Sequence, residues 1–89
     1  MKGSYLEITY RRGRPIAAYL YLPRGSRDKS QRTAKAPGGL VIDYTRGGKA
    51  IGIEITTPSK ATLSAVNRVL RALDFPPITQ ADLAPLRAA

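Results

Sequence analysis

The sequence predicts an α+β fold: a small antiparallel four-stranded sheet of two hairpins, packed on one face by a C-terminal helix, plus a short final helical turn. Three observations predict it. Segments within the first 56 residues alternate apolar and polar side chains with a period of two, the signature of half-buried strands. Gly47-Gly48 lies between two such segments at hairpin spacing. Beyond residue 57 the apolar period lengthens, and Leu63, Val66, Val69, Leu70 and Leu73 fall in one stripe at about 100° per residue. A chain of 89 residues buries only about 60–68% of the surface it exposes when unfolded, so residues 1–89 are expected to form a single domain around one modest core.

The first strand is expected over Tyr5 to Tyr10, with Leu6, Ile8 and Tyr10 on one face and Tyr5, Glu7 and Thr9 on the other. The second runs from Ile16 to Leu22, with Ile16, Ala18, Leu20 and Leu22 facing the core and Ala17, Tyr19 and Tyr21 facing away. Both apolar sets are even-numbered, so a hairpin that joins them needs an odd-length loop, 12–14 or 11–15. Residues 23–39 hold five basic side chains, two prolines and no large apolar residue, and are expected to form a long mobile loop. Leu40 to Thr45 and Ala50 to Thr56 then pair around Gly47-Gly48, a type I′ turn, which sets Tyr44 against Ile51, Ile42 against Ile53 and Leu40 against Ile55. In the helix that follows, Thr57 or Ser59 can cap, Pro58 is tolerated in the first turn, and Asp74-Phe75-Pro76-Pro77 stops the element. Lys60, Ser64, Asn67, Arg68 and Arg71 lie opposite the apolar stripe. Thr79 with Asp82 resembles a capping box for a final turn carrying Leu83 and Leu86.

Composition narrows the function classes. Cysteine and histidine are both absent, which excludes disulfides, thiol chemistry, Cys/His zinc sites and Ser–His–Asp or Cys–His triads. No catalytic residue, cofactor or metal ligand set is identified, and a non-enzymatic protein is expected. No apolar stretch approaches the ~20 residues needed to cross a bilayer. Residues 1–10 carry no continuous apolar run of a signal peptide, so a cytoplasmic, membrane-free protein is expected. The net charge of +9, from 15 basic and 6 acidic residues, suits attraction to a polyanion and equally suits plain solubility.

Leu40–Ile55 reads Leu-Val-Ile-Asp-Tyr-Thr-Arg-Gly-Gly-Lys-Ala-Ile-Gly-Ile-Glu-Ile. This run resembles the signature hairpin of a family of very small bacterial proteins, domain of unknown function 2283, in which a hydrophobic-Asp strand and a Gly-containing turn precede Ile-Gly-Ile-Glu-Ile. Tyr5 to Leu22 is similar in layout, but Arg11, Arg12 and Arg14 stand where that family has an acidic turn. The resemblance covers roughly the first 60 residues and implies a fold without an activity.

Four candidate features follow. Gly47-Gly48-Lys49 is flanked by strands on both sides, whereas a phosphate loop needs a helix after it, so it reads as a hairpin turn. Glu7, Asp43 and Glu54 share the outer sheet face; they read as solvent-side strand residues before they read as a cation site. Tyr5, Tyr19, Tyr21 and Val41 make the same face apolar and aromatic, the character of an interface, so a homo-oligomer built through a sheet face or edge is the leading expectation. Arg11, Arg12, Arg14, Arg24, Arg27, Lys29, Arg32 and Lys35 could together form a phosphate-contacting fringe, the basis of an alternative reading as a sequence-tolerant nucleic-acid binder. A third reading, a small partner-binding accessory of a two-gene regulatory pair, stays open.

Overall fold

The computed structural model describes residues 3–87. It is an α+β domain whose antiparallel sheet has five strands, one more than expected. They are β1 (Tyr5–Arg11), β2 (Arg14–Tyr21), β3 (Arg32–Ala36), β4 (Leu40–Tyr44) and β5 (Ala50–Ile55), in the spatial order β1-β2-β5-β4-β3. The additional strand, β3, lies inside the segment expected to be a long mobile loop. It pairs antiparallel with β4 from Arg32↔Tyr44 to Ala36↔Leu40, and the Gln31 N–H donates to the Tyr44 carbonyl at 2.9 Å. β3 has no large apolar residue, so neighbouring backbone hydrogen bonds hold it in place, and they leave no pattern in its own sequence.

Both hairpins differ from expectation at their turns. Arg11 pairs with Arg14 around a two-residue turn, Arg12-Gly13, where an odd-length loop was expected. The missing residue reappears inside β2: Thr9 pairs with Ala17 but Tyr10 with Pro15, leaving Ile16 as a bulge. Leu6↔Leu20 and Ile8↔Ala18 therefore keep the expected faces, while Ile16 leaves the core and is 48% exposed. In the second hairpin Gly48 has positive φ but Gly47 does not, so the turn is the three-residue kind over 46–48 and not type I′. Thr45 donates its N–H to the Lys49 carbonyl across it. The expected pairs Ile42↔Ile53 and Leu40↔Ile55 form, but Tyr44 meets Ala50, because Ile51 is an extra residue on β5.

Helix α1 (Leu63–Ala72) begins later than expected. Pro58–Lys60 makes a separate 3₁₀ turn, and the cap of α1 is Thr62, whose side chain accepts from the Ala65 N–H. The helix closes with Asp74 in the left-handed region (φ 63°) and with Phe75 donating its N–H to the Leu70 carbonyl at 2.8 Å, a Schellman closure. Thr79 and Asp82 form the expected capping box at α2 (Gln80–Leu83). Asn67, expected to face solvent, instead holds the following segment: it accepts from the Ile78 N–H at 2.8 Å and donates to the Ile78 carbonyl at 3.0 Å. Val66, Val69 and Leu70 of α1, with Ile78, Leu83 and Leu86, cover the aliphatic face formed by Ala18, Leu20, Leu22, Leu40, Ile42, Ile53 and Ile55.

Candidate functional site: a basic hairpin tip and a tyrosine face

The tip of the β1–β2 hairpin carries Arg11, Arg12 and Arg14 within four residues. Arg12 (φ 53°) and Gly13 (φ 77°) supply the two positive-φ positions of a type I′ turn. Glycine adopts this conformation freely; a residue with a Cβ pays about 1–2 kcal/mol for it. Arg11 and Arg14 are direct cross-strand partners, which sets like charges opposite one another. Among the described residues none of the three has a carboxylate partner; the ion pair between Lys49 and Asp28, at 2.6 Å, lies at the β4–β5 turn. With Ile16 the three arginines line a concave surface of about 510 Å³. Tyr10, 49% exposed, turns away from it and donates its hydroxyl to the Pro85 carbonyl at 3.4 Å. The tip thus offers several guanidinium forks and the apolar surface of Ile16 on a two-stranded ribbon.

The eight cations expected to act together do not form one fringe. Arg14 begins β2, whereas Tyr21 at its far end pairs with Gly52, close to the 46–48 turn. At about 3.3 Å per residue these ends stand about 23 Å apart along the strand. Arg27 and Lys29 gather with Arg46 and Gly47 at that opposite end. Arg24 donates to the Asp28 carbonyl at 2.9 Å and its guanidinium lies 6.0 Å from the Tyr21 ring centre. Arg32 lies over the Tyr44 ring at 5.4 Å, and Lys35 sits on β3 opposite Val41. Lys49 holds Asp28 below the ordinary carboxylate range, with the Gly25 N–H assisting.

On the outer face, Tyr5 stacks on Tyr21 (centroids 4.4 Å, planes 13° apart) and Tyr21 meets Tyr19 edge-on at 4.6 Å. Tyr19 lies across Gly52, where any Cβ would overlap its phenol ring. Its hydroxyl donates to Asp43 Oδ2 at 2.6 Å. Burial first, then this hydrogen bond and the Asp43 charge, push the Tyr19 phenol well above its ordinary value. Tyr21 donates to Glu7 Oε1 at 3.4 Å and is raised by burial and by the Glu7 charge. Tyr19, Tyr21 and Val41 are half-buried, and Tyr5 is 58% exposed. Two of the three outer-face carboxylates therefore serve tyrosines, while Glu54 is exposed beside Val41 and Tyr19. Among the described residues no three Asp or Glu side chains come together in a metal-holding group, and no helix is long and apolar enough to cross a membrane. Gly47-Gly48-Lys49 belongs to a hairpin turn, as expected, though the loop spans 46–48 and Lys49 already pairs with Thr45.

No family model matches the chain, and no curated protein or solved structure matches it either. The site is therefore read from its own geometry. Sequence reasoning missed Ile16 as part of the basic tip, because the bulge that exposes it leaves no local signal. It also missed Gly52; a glycine inside an otherwise apolar strand was the available clue, since such glycines mark close approach.

Proposed function

We propose that the protein is a non-catalytic nucleic-acid-binding domain that grips the phosphate backbone through its β1–β2 tip. The observation that carries this reading is the tip itself: a left-handed arginine and a like-charge arginine pair, with no carboxylate partner among the described residues. Local rules broken together, with no gain to the fold, mark a functional site. A phosphate chain would relieve the repulsion and accept the guanidinium forks, and a two-stranded ribbon is narrow enough for the major groove of a duplex. Phosphate contacts carry no sequence information, so binding in this proposal is sequence-tolerant, and it takes place in the cytoplasm. The test is fluorescence anisotropy with a labelled 20-nucleotide RNA and a DNA duplex across a salt series. Three neutralised phosphates give a log–log salt slope of about −2.7 on duplex DNA. Replacing Arg11, Arg12 and Arg14 by serine removes most of that slope, whereas replacing Arg27, Lys29 and Arg46 at the other end changes it little. Equal slopes for the two triple variants would overturn the assignment.

A second reading, self-association through the tyrosine face, is favoured by Tyr5, which is largely exposed at the end of a stacked aromatic row. Here Tyr5→Asp or Tyr21→Asp weakens a dimer seen by light scattering without unfolding the subunit. A monomer at high micromolar concentration removes this reading.

A further inference from the structure

The opposite side of the sheet has its own opening. Where β3 forms the sheet edge, α1 leaves the inner face partly uncovered. Arg32, Ala34 and Ala36 share that face with Tyr44, Ile42 and Leu40, their partners on β4, yet Ala34 is exposed. The result is a groove of about 350 Å³ floored by Ile42 and Tyr44 and walled by Ala65, Val69 and Ala72, with Arg68 among its lining. Three alanines in its lining, Ala36, Ala65 and Ala72, leave the space unfilled. It adjoins a strand with a neighbour on one side only.

We infer that this groove and the free edge of β3 receive an extended acidic segment of a partner protein, added as a sixth strand. Strand addition takes its affinity from main-chain hydrogen bonds and its specificity from alternate side chains that enter pockets. Charge selects the occupant. α1 contains Arg68 and Arg71 and β3 contains Arg32 and Lys35, while neither element has a carboxylate. No carboxylate lines the groove. A second copy of this chain would bring another net +9 to a short strand already carrying arginine and lysine, the features that discourage edge-to-edge pairing of like chains. A segment alternating apolar and acidic residues fits: apolar side chains enter the groove over Ala34 and Ala36, and the carboxylates, all on the other face, meet Lys35. The β1–β2 tip takes no part.

The probe is a fluorescein-labelled seven-residue peptide of alternating valine and glutamate, blocked at both ends, with a valine–lysine peptide as counterpart. Anisotropy is expected to show binding of the acidic peptide only. Ala72→Phe, on an exposed helix position that tolerates the change, fills the groove and weakens binding at least tenfold with the melting temperature unchanged. Lys35→Glu weakens it about tenfold, and N-methylation of alternate peptide residues abolishes it in one of the two phases. Replacing Arg11, Arg12 and Arg14 by serine leaves peptide binding as it was. Binding of the lysine peptide with equal affinity, or indifference to both Ala72→Phe and N-methylation, overturns the inference. So does a dimer in sedimentation velocity that Ala72→Phe dissolves, which would assign the groove to a second copy.

Discussion

The β1–β2 and β4–β5 hairpins meet one geometric demand, a short turn between strands whose faces must match, and meet it differently. In each a single bulged residue absorbs the mismatch. In β2 that residue is Ile16, nearly half exposed; in β5 it is Ile51, wholly buried. At the β4–β5 turn the positive φ falls on glycine, Gly48, and the neighbouring cation, Lys49, is neutralised by Asp28. At the β1–β2 turn positive φ falls partly on an arginine, and the flanking cations face each other. One end of the sheet is built for stability. The other carries strain and repulsion that the fold does not need, and the proposed binding site lies there.

If the β4–β5 hairpin is the stable end, its core residues carry the largest effects. Ile53, fully buried against Ile42 and Leu20, is expected to lose about 2–5 kcal/mol on substitution by alanine. Glu54, its exposed neighbour, should lose far less, and equal losses in urea melts would mean that β5 presents the wrong face to the core.

Gly52→Ala comes next, at about 1–3 kcal/mol, because the new methyl displaces Tyr19 from across the strand and from Asp43. Tyr19→Phe should make Gly52→Ala less harmful than in the parent protein: the ring is still displaced, but the hydrogen bond to Asp43 that its displacement would break is already gone. Additive losses in a double-mutant cycle would show that Tyr19 accommodates the methyl without leaving Asp43.

The Tyr19 phenol also makes a pH prediction. Its folded pKa lies above its ordinary value of 10.0, so folding favours the protonated hydroxyl. The associated stability is complete below pH 10 and declines as pH rises through the folded value. Urea midpoints of the parent protein should therefore fall more steeply above pH 10 than those of Tyr19→Phe; Tyr21, raised in the same direction, is present in both. Parallel curves would sever the link between burial of this phenol and stability.

The smallest stability effect has the opposite sign. Arg12→Asn replaces a residue strained at positive φ by one that visits this region readily, and should stabilise the hairpin by up to about 1 kcal/mol. The same change should weaken nucleic-acid binding and reduce its salt slope by about one contact. A variant that is both less stable and equally tight would erase the contrast between the two ends.

Much of the fold was legible from side-chain chemistry along the chain. The strand faces of β1, most of β2, β4 and β5 followed from alternation; the central pairs Ile42↔Ile53 and Leu40↔Ile55 were expected from a type I′ turn that does not form, and they stand because the bulge at Ile51 offsets the longer turn. The stripe of α1 and the Thr79–Asp82 capping box were equally local. At the candidate sites, the arginine-rich turn and the outer tyrosines were visible as residue types, but their grouping was not: eight cations named together divide between opposite ends of the sheet and β3.

Sequence by itself determined what depends on neighbours within a turn or a strand: which residues alternate, which cap, which face turns to oil or water, and that net charge is strongly positive. Tertiary structure alone decided that Arg32–Ala36 is a strand, that Ile16 and Ile51 are bulged, that Asn67 holds Ile78, that Tyr19 crosses Gly52 to reach Asp43, and that α1 leaves a groove beside β3. The physical reason is the same in each case. These features rest on hydrogen bonds and contacts supplied by residues distant in the chain, and a segment's own composition does not record the partner it meets after folding.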